Sequence, residues 1–171
     1  LGGLLALHLA AHEPSVQGLL LFAPGLRLLD RRLPLTTVAK YILPLRPKNE
    51  LADSDLADPE AFDRLWSYEV YPLAGASQLW RLQRTVRKEL SRVQQPVLII
   101  QGRRDRSIHP DTPQTILVGV RSKDTRLIWL ENSGHALTVD AERQQVFEVS
   151  LAWIQERERR PANQDALRPS E

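Results

Sequence analysis

The chain has 171 residues, 42% of them hydrophobic and 26% charged, an ordinary globular composition with enough length to bury a core. Its 23 basic and 21 acidic residues leave a net charge of +2, too close to neutral for a nucleic-acid or anionic-membrane footprint, so no nucleic-acid partner is expected. Cysteine is absent, which excludes disulfides and thiolate metal centres, and no apolar run reaches the roughly 18–20 residues of a membrane span, so no stable membrane insertion is expected.

In chain order, LGGLLALHLAAHE over Leu1–Glu13 is rich in the strong helix formers Leu and Ala and is stopped by Pro14. QGLLLFAP over Gln17–Pro24 is a short apolar run closed by proline, the pattern of a strand buried on both faces. Residues 25–95 change character: rich in Leu, Arg and Asp, they hold Tyr41, Phe62, Trp66, Tyr68, Tyr71 and Trp80. Helical stretches are predicted around Pro59–Val70 and Ala74–Val93, and no strand, so this segment reads as a helical insertion.

Alternation then resumes. PVLIIQG over Pro96–Gly102 is a buried strand, Asp111–Val120 a helix opened by Pro113, and RLIWL over Arg126–Leu130 a further strand. Asp140–Gln155 reads as an amphipathic helix turning Val146, Phe147, Leu151 and Ile154 to the core. The charged end lacks a core face, and 158–171 is expected as a disordered tail.

Strands alternating with helices predict an α/β fold with a mostly parallel sheet covered on both faces. Three parallel strands alone leave open edges, so the remainder of the sheet is expected from an N-terminal part of the same protein, preceding Leu1.

Three local features carry chemistry. LGG at Leu1–Gly3 opens a helix; GRRDRSIHP at Gly102–Pro110 follows a strand; ENSGHALTVD at Glu131–Asp140 follows the next. Catalytic groups gather at the carboxyl ends of parallel strands, so Asp105 and His135 can meet although 135 − 105 = 30 positions separate them. A histidine held by a carboxylate at one ring nitrogen is the base that activates a serine hydroxyl at neutral pH.

In that order the three features resemble the α/β-hydrolase fold, and within it the capped carboxylesterases and monoacylglycerol lipases, from Leu1 to about Gln155. The family's nucleophile elbow reads G-x-S-x-G and is followed by acid and then histidine. The resemblance implies a nucleophilic serine immediately before Leu1, Asp105 as the acid and His135 as the base. It places the Leu1 backbone N–H in the oxyanion hole, with a second donor from the preceding part. It also implies core segments 1–24 and 96–157, a helical cap at 25–95, small or medium acyl esters as substrates with monoacylglycerols as one option, and no cofactor. Gly134 is expected to allow a sharp turn, and Gly2 and Gly3 a tight elbow.

Competing readings accompany these. Asp105 has Arg103, Arg104 and Arg106 beside it as ordinary ion-pair partners. His109 is a rival base, Glu131 a rival acid, and Asp140 a cap for the last helix. Trp66, Tyr68, Tyr71 and Trp80 are either packing residues or the wall of an acyl pocket. His8 and His12 have the i, i+4 spacing of metal ligands, with no third ligand evident, so no metal is expected. Thioesterases, haloperoxidases and C–C hydrolases share these parts, a dehalogenase replaces the serine with Asp, and a non-catalytic binding protein of the same fold needs no oriented imidazole.

Overall fold

The structure is a computed structural model that describes residues 1–48 and 54–159. Helix α1 (Gly2–Ala10) leads into strand β1 (Leu19–Phe22). The short helix α2 (Thr36–Ala39) and strands β2 (Leu45–Pro47) and β3 (Val70–Pro72) follow, then the long helix α3 (Leu73–Glu89). Strand β4 (Val97–Gly102), helix α4 (Thr112–Gly119), strand β5 (Thr125–Leu130) and helix α5 (Arg143–Glu158) complete the order.

The main sheet is parallel in the order β1-β4-β5, with Leu19 opposite Val97 and Val97 opposite Thr125. All six residues of the central β4 are buried, and their alternation divides the core. Val97 and Ile99 join Leu4, Leu7, Leu21, Val86, Leu90 and Ile116 under α1, α3 and α4. Leu98 and Ile100 join Leu130, Leu137, Val146 and Trp153 under α5. Helices on both faces of a parallel sheet make this an α/β fold, and β4 and β5 end where Asp105 and the His135 loop begin.

The structure departs from the sequence reading in four places. Residues 25–95 contain β2 and β3, an antiparallel pair with Leu45 opposite Pro72. At three residues each, with prolines at their ends, these strands are too short to show a two-residue period. Only Pro59–Arg64 of the first expected helix forms a tight helical turn, started by Asp58, whose side chain accepts from the Glu60 N–H at 2.9 Å. The second, α3, is not confined to the insertion, because Val86 and Leu90 belong to the main core.

The last helix is rotated from the expected face: Val146 and Trp153 are buried, whereas Phe147, Leu151 and Ile154 are 39–56% exposed. Trp153 sets that rotation. Its ring lies where a Cβ on Gly18 would approach to 2.6 Å, so the glycine before β1 is the seat for the indole. The helix also runs on to Glu158, held by Arg157, which donates to the Trp153 carbonyl at 3.0 Å and pairs with Asp124. The expected tail from residue 160 onward lies outside the described residues.

Candidate active site

Asp105 sits in the loop leaving β4, with its side chain 2% exposed. Its Oδ1 accepts from the Ser107 and Ile108 N–H groups, each at 2.8 Å. Its Oδ2 accepts from Gln101 Nε2 at 2.7 Å and lies 3.0 Å from His135 Nδ1. Burial works to raise the pKa of this carboxyl; the His135 hydrogen bond and charge and the two backbone N–H groups outweigh it and hold the acid below the ordinary aspartate range. The ionised carboxylate only accepts, so His135 donates to it from Nδ1, leaving Nε2 as the ring nitrogen not engaged with the acid. The His135 side chain is 39% exposed, open to a reactant.

The neighbouring arginines have other partners. Arg103 meets Glu131 at 3.4 Å, Arg104 meets Asn132 at 2.9 Å, and Arg106 meets Asp55 at 3.5 Å. His109 Nδ1 faces its own Asp111 rather than Asp105, at 3.5 Å. Glu131 stands 71% exposed at the surface.

Two residues the sequence reading did not assign to the site build the His135 loop. Asp55, from the insertion, is buried: its carboxylate accepts from the Arg106 N–H at 3.0 Å and the Ser107 hydroxyl at 2.5 Å, and its carbonyl from the His135 N–H at 2.9 Å. Asp140 does not cap the last helix, whose N-cap is Glu142. Its buried carboxylate instead accepts from the N–H groups of Ala57, Asp58, Gly134 and Ala141, at 2.6–3.1 Å. Burial pushes that carboxyl up and the four N–H groups pull it below the aspartate range. Nothing in sequence separates Asp55 from Asp53 or Asp58, because its role depends on a partner 80 positions away.

Gly134 is required by close approach rather than by a turn, since no glycine among the described residues has a positive φ. A Cβ there would stand 2.3 Å from the Asp55 carbonyl oxygen. Gly102 is packed as tightly, with a Cβ 2.3 Å from the Ser133 and Gly134 oxygens, so β4 and the histidine loop touch backbone to backbone. At the other end of the site, Gly3 packs on Pro24, while a Cβ on Gly2 would meet nothing within 4 Å.

A cleft of about 1110 Å³, on the scale of a ligand site, reaches the neighbours of the pair, though neither Asp105 nor His135 is on its wall. Leu1, Asp55, Arg106 and Ser107 line it with Leu28, Leu33, Leu35, Leu43, Leu73 and Leu79. Of the four aromatics, Tyr71 is on this wall; Trp66, Tyr68 and Trp80 are not, and Trp66 and Tyr68 stand edge to face, 78% and 71% exposed. Asp55, Asp105 and His135 have ligand atoms within 4.8 Å of one another, but each carboxylate is already engaged by backbone and side-chain donors.

An acid–histidine pair at the ends of adjacent parallel strands, near a cleft walled mostly by residues between 28 and 79, is the arrangement of an α/β-hydrolase. Residues 1–142 match the profile of the Hydrolase_4 family, described as serine aminopeptidase, S33, and the chain belongs to that family. It is 27% identical over 157 residues to the thermostable monoacylglycerol lipase of Bacillus sp. strain H-257, covering 90% of this chain and 59% of that protein. It is 27% identical over 93 residues to a carboxylesterase of Bacillus subtilis strain 168, covering 54% of this chain and 38% of that protein. Among solved structures it resembles one from the metagenome-derived lipolytic enzymes LipS and LipT, with a TM-score of 0.82 and 28% identity over 91% of this chain and 62% of that one. The chain thus spans about three fifths of the length of these lipolytic relatives. Among the described residues no helix is long and apolar enough to cross a membrane.

Proposed function

We propose that this chain is the base-and-acid half of a serine carboxylesterase that hydrolyses acyl esters, monoacylglycerols among them, through an acyl-enzyme. His135 takes the proton of a serine immediately preceding Leu1 in the whole protein and returns it to the leaving alcohol. Asp105 fixes the imidazole tautomer and stabilises the imidazolium. The Leu1 N–H, at the start of α1, contributes to the oxyanion hole. A water molecule then attacks the acyl carbonyl, with His135 again as base.

The Asp105–His135 contact at 3.0 Å carries this reading, because a buried acid orienting a half-exposed imidazole is costly to build and serves proton transfer. The cleft near it supports an acyl substrate. So do Val38, Tyr41 and Ile42, 67–84% exposed next to the cleft residues Ala39 and Leu43. The family membership and the names of the relatives support ester hydrolysis over the other chemistries of the fold.

The test is a fluorophosphonate probe on the full-length protein, with the labelled peptide mapped by mass spectrometry. Label on the residue before Leu1, abolished by His135→Ala, is the expected result. A folded protein that takes no label, or labels equally well without His135, overturns the reading in favour of a ligand-binding protein of the same fold.

A further inference from the structure

The C-terminal end of α1 carries two histidines that ester hydrolysis does not use. His8 lies in the last turn and His12 just beyond it, so the i, i+4 spacing brings their ring centroids to 4.8 Å. Glu89, the last residue of α3, reaches between them. Its Oε2 lies 2.7 Å from His8 Nδ1 and its Oε1 3.0 Å from His12 Nε2. The third ligand that the sequence lacked is therefore supplied by a helix that returns 77 positions after His12.

We propose that His8, His12 and Glu89 form a surface site for a first-row divalent transition metal, zinc in the first instance, with water completing its coordination. Two imidazoles and one carboxylate are a donor set that zinc takes with three protein ligands and one open position. Imidazole nitrogen selects zinc, cobalt, nickel or copper over calcium and magnesium, which take oxygen.

The geometry is close to that of a loaded site. With bonds of about 2.0–2.1 Å, tetrahedral ligands stand about 3.4 Å apart. The present contacts of 2.7 and 3.0 Å, made to the two different Glu89 oxygens, would lengthen by about 0.4–0.7 Å, and all three ligand atoms already lie within 4.8 Å of one another. The histidine side chains are each 43% exposed, which leaves them free to adjust and gives the ion a path from solvent. Glu89 is 13% exposed and anchored at the end of α3, so one ligand is held while two close on it. The ion replaces the protons now shared between carboxylate and imidazoles, and it cross-links α1 to α3.

The experiment uses the full-length protein stripped with a chelator, titrated with zinc by calorimetry and with cobalt(II) by visible absorption. One ion per chain, the visible bands of imidazole-bound cobalt and a melting temperature that rises with zinc concentration are expected. His8→Gln, His12→Gln and Glu89→Gln should each weaken binding by more than about tenfold, a loss that even outer partners of a metal site can cause. His135→Ala should leave binding unchanged. Affinity weaker than about 1 mM overturns the proposal. So does zinc binding that survives the His8, His12 and Glu89 changes, or that is lost with His135. The cobalt spectrum of the unaltered protein decides the matter even if a variant folds poorly, since absent bands count against the site.

Discussion

Replacing Asp140 by Asn tests how the His135 loop is held. The Asp140 carboxylate accepts at Oδ1 from Asp58 and Ala141, at Oδ2 from Gly134 at 2.6 Å, and at both oxygens from Ala57 at 3.0–3.1 Å. An Asn that keeps its oxygen at the first position turns its NH₂ toward the Gly134 N–H, donor against donor. One charge-assisted bond is lost, a buried N–H is left unpaired, and the other three become neutral. At about 1.5–3 kcal/mol for a bond to a charged group, the sum is about 3 kcal/mol. For a chain of this size that lowers Tm by about 6–12 °C. The depressed folded-state pKa fixes the pH dependence. The carboxylate's extra contribution is fully present above the unfolded value near 3.9 and is lost as pH falls below it. Melting curves from pH 7 to pH 3 should thus show the two proteins far apart at pH 7 and converging below about pH 4. A difference under 1 °C at pH 7, or one that stays constant with pH, refutes the clamp.

Asp105→Asn should leave the fold almost intact while cutting kcat by up to about 10⁴-fold in ester assays. The Asn oxygen keeps Ser107 and Ile108, and Gln101 can flip to offer its Oε1, a buried atom now without a hydrogen bond. His135 must then accept at Nδ1 and lose its base at Nε2; a Tm drop that tracks the activity loss would refute that account. Gly134→Ala should cost about 2 kcal/mol or more, read as a Tm fall, because its Cβ must displace the Asp55 carbonyl from 2.3 Å. Arg106→Ala should shift Tm by less than about 4 °C, since a pair at 3.5 Å with a 67% exposed arginine is worth under about 1 kcal/mol. Ala76→Phe, on the cleft wall, should lower hydrolysis of long-chain p-nitrophenyl esters relative to the acetate. An unchanged ratio would place the acyl chain elsewhere.

Local pattern was enough for the strands that present the site. Continuous apolar runs at 96–102 and 126–130 can be satisfied only by burial, so β4 and β5, and with them the positions of Asp105 and His135, were legible. The aromatic pocket was not. Trp66 and Tyr68 lie in the irregular stretch before β3 and Tyr71 lies within it, and nothing in the local pattern tells which of them reaches the cleft. The face of α5 was misread for a related reason. Val146 is buried as expected, but Phe147, Leu151 and Ile154 give way to Trp153, whose seat on Gly18 lies in another part of the chain.

The supports of His135 share that non-local character. Asp55 and Asp140 are ordinary acidic residues in sequence; they matter because each turns a buried carboxylate on backbone N–H groups of a distant loop. Together they link residues 55–58 of the insertion to both the Asp105 loop and the His135 loop. Residues between 28 and 79 thus line the cleft, and 55–58 among them also tie the His135 loop to the Asp105 loop. A substitution that loosens 55–58 without touching the cleft should therefore lower kcat rather than raise KM, whereas one on the leucine wall should do the reverse.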